Sequence, residues 1–193
     1  GYGVKLYPVT PRDLPCLRRW RNSKHIRQQM TDSTYISPHQ QRVWFEYIQT
    51  RVDQMNWVVW CKGIRSGFIN VKGTGPIELQ KQLGGGYYVG ESQIRHGLLG
   101  YAIFLMFHDI IFEYFLVSEV QDTILKSNYR ARKMNKLFGY LEGQKFNKYI
   151  EISITHSRYK TAKMKIARYF GDDASCTLIP TENVENILTK SNL

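Results

Sequence analysis

The order of hydrophobic and polar residues divides the chain into short segments with a period of two and longer segments with a helical period. Val4–Val9 alternates weakly and predicts a first strand. Thr10-Pro11 then has the sequence of a helix start, with Thr10 as the N-cap. Ser37-Pro38 repeats this pattern, and Gln40 completes a capping box with Ser37. The second helix should reach about Val52 and carry a hydrophobic stripe of Val43, Trp44, Tyr47 and Ile48.

The central part of the chain predicts a β meander. Strands are expected at Asn56–Cys61 and Ser66–Lys72, joined by a turn at Lys62-Gly63. A polar loop follows at Gly73–Gln82. The next strand should be Gly84–Gly90, which is rich in glycine at its start.

The second half of the chain alternates helices and strands. The pattern predicts an apolar helix from about Gly97 to Phe115, a strand at Val120–Leu125, an amphipathic helix at Asn128–Leu141 and a strand at Phe146–Thr155. The order β-α-α-β-β-β-α-β-α-β predicts an α/β (α+β) fold with a mixed sheet and helices on both faces. We expect residues 1–170 to form a single domain and residues 171–193 a C-terminal extension or tail.

Composition restricts the class of protein. A chain of 193 residues can bury one sizeable core. Its three cysteines are far apart and form no CxxC pair, so we expect no disulfide framework, no metal site and a reducing, cytoplasmic location. The start of the chain has no signal-peptide pattern. The apolar run that begins at Leu98 ends at Phe107, too early to cross a bilayer, so no membrane association is expected.

The net charge of +11 indicates an anionic partner. Nucleic acid, an anionic membrane face and a phosphate-bearing small molecule would each satisfy it. The basic residues are spread along the whole chain, and there is no arginine-rich arm or aromatic-basic repeat. Charge alone therefore leaves these partners open.

The first candidate site is the junction between the glycine-rich strand and the apolar helix. A strand that feeds a turn into a helix directs several backbone amides toward one point, where the helix dipole favours an anion. Such a point binds a pyrophosphate, and Arg95 and His96 could reinforce it. The alternative is an ordinary β–α turn in which Gly97 only opens the helix.

The second candidate is the helix that begins at Asn128. Asn128, Ala131, Asn135 and Phe138 fall on one helical face. One asparagine could hydrogen-bond the amides of an extended pantetheine arm, and the other could lie near its thiol. The alternative is that Asn128 is an N-cap and Asn135 a solvated surface residue.

These segments resemble the GNAT family of N-acetyltransferases. The run Asn128-x-x-Ala131-x-x-x-Asn135-x-x-x-Gly139-Tyr140 is similar to its helix signature. Ile94–Leu99 is similar to its phosphate-loop motif Q/R-x-x-G-x-G/A, although only Gly97 is retained. The hairpin containing Gly67-Phe68-Ile69 and the order of elements from about Lys5 to Ile154 also resemble the family.

The resemblance implies a GNAT-like fold and acetyl-CoA as co-substrate, without a metal. Acetyl-CoA would lie between the strands Gly84–Gly90 and Val120–Leu125, and a backbone N–H near Val89 would polarise the thioester carbonyl. Asn135 stands where other members often have a tyrosine that protonates the departing thiolate. Asn135 is therefore a catalytic candidate, and the general acid is unassigned. The implied cofactor-binding residues are Val89, Ile94, Arg95, His96, Gly97, Leu98, Leu99 and Asn128.

The triplet Trp20-Arg21-Asn22 resembles a feature of GNAT enzymes that acetylate amino groups on nucleotide-activated sugars, notably in the pseudaminic-acid pathway. RimJ/RimL-like protein N-acetyltransferases are a less similar alternative. Arg21 could pair with a phosphate, and Trp20 could stack on a base or sugar. The alternative is a helix end with Trp20 in the core and the arginines in water.

Proton transfer from a substrate ammonium requires a base, and Glu91 is the first candidate. His96, His25, His39 or an ordered-water relay are weaker candidates. We therefore expect an acetyl-CoA-dependent N-acetyltransferase whose acceptor is a small-molecule amine, most readily a nucleotide-linked amino sugar, with no nucleic-acid partner. A homodimer is left open. The alternatives are a protein N-terminal acetyltransferase and, in another class, a non-catalytic GNAT-like or basic nucleic-acid-binding module.

Overall fold

A computed structural model describes residues 1–91 and 98–173 of the chain, and its side chains as far as residue 170. The strands are β1 (Val4–Pro8), β2 (Gln54–Cys61), β3 (Ile64–Lys72), β4 (Gln82–Val89), β5 (Glu119–Leu125), β6 (Leu141–Lys145) and β7 (Tyr149–Thr155). The α-helices in these ranges are α1 (Leu14–Asn22), α2 (Lys24–Arg27), α3 (Pro38–Gln49), α4 (Leu99–Asp109), α5 (Tyr129–Leu137) and α6 (His156–Ile166).

The strands form one seven-stranded mixed sheet in the order β1-β2-β3-β4-β5-β7-β6. All neighbouring strands are antiparallel except β4 and β5, which are parallel. This parallel pair is short, because only Gln82 with Glu119 and Leu83 with Val120 are in register. Beyond these two pairs β4 continues along β3, and β5 continues along β7. The sheet is therefore split between β4 and β5.

Helices cover both faces of the sheet, as predicted. Neighbouring residues of β2 enter two different hydrophobic clusters, since Val59 packs with α4 and Val58 packs with α1. Both valines are fully buried. Alternate residues of a strand point to opposite faces, so two buried neighbours require both faces to be covered. Among the described residues, no helix has the length and the apolar composition needed to cross a membrane.

The helix starts follow the capping signals in the sequence. The amide of Gln40 donates to Oγ of Ser37 over 3.2 Å, and the amide of Ser37 donates to Oε1 of Gln40 over 2.8 Å. The predicted capping box of α3 is confirmed. At Thr10 the chain enters a short 3-10 turn, Pro11–Asp13, which leads into α1.

Other boundaries differ from the sequence pattern. The helix predicted to reach Leu141 ends at Leu137, because Gly139 adopts a φ of +93°, which ends an α-helix. The edge strand β6 follows, and all five of its residues are exposed, so no hydrophobic alternation marks it. The predicted stripe of α3 is also wrong in part, since Val43 and Tyr47 are exposed while Ile48 is buried. The short helix α2 lies in a stretch that the pattern left as polar.

Candidate active site

A large cleft opens where β4 and β5 separate. Its walls are β4 and β5, the first turn of α4, the helix α5 and the segment from α1 to α3. The cleft has a volume of about 2040 Å³. Small-molecule pockets usually have volumes of roughly 300–1,000 Å³. The cleft can therefore hold two substrates at once.

The backbone amides of β4 face alternately toward β3 and toward the split. The amide of Gly86 donates to Oδ1 of Asn70 in β3 over 2.9 Å. The amide of Gly85 donates in the opposite direction, over 3.0 Å to a carboxylate of β5. Because the direction alternates along a strand, the amides of Tyr87 and Val89 point the same way as that of Gly85. The pairing of β4 with β5 ends at Leu83, so among the described strands the amides of Tyr87 and Val89 have no partner on that side and face the cleft.

The carboxylate that accepts from Gly85 belongs to Asp122 in the middle of β5. Its Oδ2 accepts from the amide of Gly85, and its Oδ1 accepts from the amide of Thr123 over 2.7 Å. Burial raises the pKa of Asp122 above its ordinary value, although these two amides and the charge of Lys72 act in the opposite direction. Asp122 lines the cleft. It is a half-buried carboxylate that bridges the split in the sheet.

A buried histidine fixes a tyrosine at the floor of the same cleft. Nδ1 of His108 lies 2.8 Å from the carbonyl oxygen of Phe104, which can only accept, so Nδ1 carries the proton. Nε2 is then an acceptor, and the hydroxyl of Tyr140, 2.7 Å away, donates to it. Burial lowers the pKa of His108 to about 3, so this imidazole is neutral at physiological pH. Both side chains line the cleft.

The two asparagines of the helix signature both line the cleft. Oδ1 of Asn128 accepts from the amide of Ala131 over 3.1 Å, so Asn128 is the N-cap of α5. Asn135 is buried, with 9% of its surface exposed, which excludes the solvated surface position considered above. The same helix also brings cationic side chains to the cleft wall, namely Arg130, Lys133 and Lys136.

Trp20 and Glu91 form a contact beside the cleft. Trp20 is 3% exposed and packs in the cluster under α1 with its ring edge against Tyr88. Its Nε1 donates to Oε1 of Glu91 over 2.9 Å, and Arg19 forms an ion pair with the same oxygen. Neither Trp20 nor Glu91 is among the residues that line the cleft. The catalytic role of Glu91 and the stacking role of Trp20 stay predictions.

Arg21 and Asn22 act on the segment that closes the cleft on the α1 side. Asn22 forms two hydrogen bonds of 2.8 Å with the backbone of Ile36, one to its carbonyl oxygen and one from its amide. Arg21 lines the cleft and donates through Nη2 to the carbonyl oxygen of Asp32. Its Nη1 is buried and has no hydrogen-bond partner among the described residues. Burial lowers the pKa of Arg21.

The predicted phosphate loop is only partly described. Ile94, Arg95, His96 and Gly97 lie outside the described residues. Leu98 is 43% exposed and Leu99 is buried, and neither lines the cleft. The next two residues, Gly100 and Tyr101, do line it. The first turn of α4 therefore opens onto the cleft, as the anion-site prediction requires. No group of three or more His, Cys, Asp and Glu side chains in the described ranges could hold a metal.

Sequence reasoning missed Asp122 and His108, although a signal for each was present. In β5 the residues Val120 and Ile124 are buried, and Asp122 lies between them on the same face. A carboxylate on the buried face of a strand requires polar partners and indicates a site. His108 is likewise the polar residue of an otherwise apolar buried helix. In the sequence, Tyr140 is marked only as the aromatic residue that ends the helix signature.

Several solved structures with a similar fold are N-acetyltransferases. FdhC, a nucleotide-linked sugar GNAT, matches with a TM-score of 0.74 at 16% identity, over 88% of this chain and 96% of its own. Spermidine N-acetyltransferase from Vibrio cholerae, crystallised with CoA and spermine, matches with a TM-score of 0.72 at 13% identity, over 83% and 99% of the two chains. The Campylobacter jejuni N-acetyltransferase PseH matches with a TM-score of 0.62 at 13% identity, over 80% and 99%.

No protein-family model matches the sequence, and no curated protein is significantly similar to it. At identities this low the structural matches establish the fold. The chain has the GNAT acyltransferase fold, and this part of the sequence analysis is confirmed.

Proposed function

We propose that this chain is an acetyl-CoA-dependent N-acetyltransferase that acetylates a primary amine on a nucleotide-linked amino sugar. The observation that carries the proposal is the split between β4 and β5, where the amides of Tyr87 and Val89 face a cleft large enough for two substrates. A pantetheine arm can complete the hydrogen bonds that β5 leaves open. Two proteins with a similar fold support the proposal: the Vibrio cholerae spermidine N-acetyltransferase was crystallised with CoA, and FdhC is a nucleotide-linked sugar GNAT.

Acetyl-CoA would enter at the first turn of α4. Its pyrophosphate would meet backbone amides of residues 95–99 and the cations of α5, and its pantetheine would follow β4. The amide of Val89 would donate to the thioester carbonyl oxygen as negative charge develops there. Asn128, which caps α5 through Oδ1, retains its Nδ2 group for the pantetheine. Asn135 would lie near the thiol.

The acceptor amine would attack the thioester carbon directly. A nitrogen–carbon bond forms, the carbon–sulfur bond breaks, and CoA leaves as a thiol after its sulfur gains a proton. Orientation of the two substrates in one cleft accounts for a large part of the rate, because it converts a bimolecular encounter into an intramolecular step. Glu91 is the base that the sequence favours, and Asn135 is the residue nearest to the departing thiol in this scheme.

The acceptor is proposed from the α1 side of the cleft. Among the described residues, the buried Nη1 of Arg21 has no hydrogen-bond partner, which favours an anionic oxygen as ligand. Phe68 and Tyr88 stack with ring centroids 5.4 Å apart in the same wall, and Trp44 meets Phe68 at an edge. Aromatic faces beside an arginine suit a sugar or a base attached to phosphate. A polyamine would instead bring positive charge toward the guanidinium of Arg21.

The test follows CoA thiol release from acetyl-CoA with three acceptors in parallel: UDP-glucosamine, spermine and a peptide with a free N-terminus. We expect release above background with UDP-glucosamine and a mass increase of one acetyl group on its amine. Preference for the peptide would favour a protein N-terminal acetyltransferase. Binding of CoA without release from any acceptor would indicate a non-catalytic GNAT-like protein. Salt-sensitive binding of DNA without CoA binding would favour a nucleic-acid module.

A further inference from the structure

The cleft contains a carboxylate that the scheme above does not use. In the described part of the chain, the carboxylates that line the cleft belong to Asp32 and Asp122. Asp32 is exposed, whereas Asp122 is half-buried between β4 and β5. Glu91 forms an ion pair with Arg19 and accepts from Trp20, and it does not line the cleft. A base for the acceptor must reach the amine by a hydrogen bond, directly or through one water, and Asp122 lies in the cleft where the amine would bind.

We propose that Asp122 binds the acceptor's ammonium group and takes the first proton from it. This inference rests on the proposed acetyl transfer. Each oxygen of Asp122 accepts one backbone amide, from Gly85 or Thr123, which leaves a lone pair on each for a substrate N–H. The neighbouring segment Gly84–Gly86 has no side chains, so the carboxylate is open to the cleft from β4. An amine in the cleft beside Asp122 would therefore meet both the base and a thioester held along β4.

The acceptor nitrogen loses two protons in this reaction. The ammonium transfers one proton to the carboxylate of Asp122, and the neutral nitrogen attacks the thioester carbon. The nitrogen–carbon bond forms and the carbon–sulfur bond breaks. The nitrogen loses its second proton to the departing sulfur, which gives the CoA thiol and a neutral amide. Asp122 then returns its proton to water through the open cleft, so one proton is released in each turnover.

The surroundings of Asp122 support this role. Burial raises its pKa, which makes the carboxylate a stronger base than an exposed aspartate. In the described part of the chain, Lys72 from β3 and Tyr140 after α5 interact electrostatically with Asp122. Tyr87 from β4 lines the same cleft, and Glu151 from β7 lies with Asp122 beside a second, smaller cavity. Lys72 is the cation that opposes the shift. The hydroxyl of Tyr140 donates a hydrogen bond to Nε2 of His108, so its oxygen keeps lone pairs that could accept a hydrogen bond from the same amine.

The experiment compares the pH dependence of kcat/KM in the wild type and in Asp122→Asn, with acetyl-CoA and UDP-glucosamine, spermine or ribostamycin as acceptor. The Asn side chain has the same shape and retains one acceptor oxygen. We expect Asp122→Asn to lose about 100-fold or more in kcat/KM at pH 7, within the usual range for a general base. The deficit should shrink about tenfold with each pH unit toward the amine's pKa, because solution then supplies the neutral amine.

Two further variants separate catalysis from folding. Glu119→Gln removes the same charge from the same strand outside the cleft, and should match the wild type. Asp122→Glu retains a carboxylate base. Its kcat/KM should therefore be lower than that of the wild type but should keep the same fall toward low pH, the acidic limb of the profile. CoA titration of each variant, followed by calorimetry, should give an unchanged Kd.

The outcomes are distinct. An Asp122→Asn deficit that is the same at every pH would overturn the inference, as would a wild-type rate in this variant. Loss of the acidic limb in Glu91→Gln, with the limb retained in Asp122→Asn, would assign the base to Glu91. If the wild-type protein binds CoA but acetylates neither UDP-glucosamine, spermine nor ribostamycin, the proposed function is refuted. The inference about Asp122 is then refuted as well.

Discussion

Replacement of Arg21 by methionine should reduce acetylation of an anionic acceptor far more than acetylation of a polyamine. Methionine has a similar length and suits the apolar wall, but it provides no donor. The Nη1 group of Arg21 is buried and has no partner in the described residues, so bringing it out of water is compensated only when a ligand oxygen arrives. Burial also lowers the pKa of the guanidinium, which an anionic ligand would reverse.

The expected loss follows from the bond that the ligand would make. A hydrogen bond to a charged group contributes about 1.5–3 kcal/mol. At about 1.4 kcal/mol for each factor of ten, kcat/KM for UDP-glucosamine should fall about 10- to 150-fold in Arg21→Met. Spermine has no anionic group, so its kcat/KM should remain within a factor of about two to three of the wild type. Arg21→Lys keeps the charge without the planar fork, and its loss should be intermediate.

The assay is thiol release from acetyl-CoA under first-order conditions in the acceptor. Arg18→Met is the matched control, because it removes one charge from the same helix at a residue that does not line the cleft. Asn22→Ala controls for the anchoring of the loop, since it removes the bonds to Ile36 and leaves Arg21 in place. Equal losses for UDP-glucosamine and spermine in Arg21→Met would refute the reasoning, because the arginine would then only support the loop.

Three further predictions concern stability and cofactor binding. Gly85→Ala should lower the free energy of unfolding, measured in urea, by about 1–3 kcal/mol. The added Cβ would lie 2.1 Å from a backbone carbonyl oxygen of β3, and the residue has a φ of +140°. Gly86→Ala is the control and should change stability little, because its Cβ would lie 3.7 Å from the nearest atom. Below pH 6.5, the free energy of unfolding should fall by up to about 1.4 kcal/mol for each pH unit. His108 is neutral in the folded protein, where its pKa is about 3, and it takes up a proton on unfolding. The slope should be smaller in the double variant His108→Phe/Tyr140→Phe. Asn128→Ala should cost about 1 kcal/mol of stability, because it removes the N-cap of α5. Asn128→Asp keeps the cap but lacks Nδ2, so it should weaken CoA binding in calorimetry if Nδ2 binds the pantetheine. An unchanged Kd for CoA would remove Asn128 from the site.

The sequence located most of the sheet because its strands alternate or are bounded by turn residues. The turn at Lys62-Gly63 is observed, with φ values of +50° and +76°, and the strands on either side begin within two residues of their predicted places. Strand β6 could not be found in this way. Its five residues are exposed, and the strand is defined by its pairing with β7, in which Leu141, Glu142 and Lys145 are in register.

Local pattern also identified some of the site and not the rest. Arg21 and Asn128 were named from short motifs, and both line the cleft. Glu91 was chosen because it follows the glycine-rich strand, but its ion pair with Arg19 depends on how α1 lies on the sheet. Asp122 approaches Gly85 across a gap of 37 positions in the chain, a distance that no local pattern contains.

The charge of the chain, which left several partners open, becomes informative once the cleft is defined. Of the residues that the structure describes, the cations that line it are Arg21, Lys72, Arg130, Lys133 and Lys136, and the carboxylates are Asp32 and Asp122. An excess of cations around a concave site attracts anionic ligands, and acetyl-CoA and a nucleotide sugar are both anionic. In the proposed scheme, the half-buried carboxylate of Asp122 would bind the acceptor's amine, and the cations would bind the anionic part of the same molecule. This distribution of charge supports the proposed acceptor, which carries phosphate and an aliphatic amine together; a polyamine has no phosphate, and a nucleic acid has no aliphatic amine.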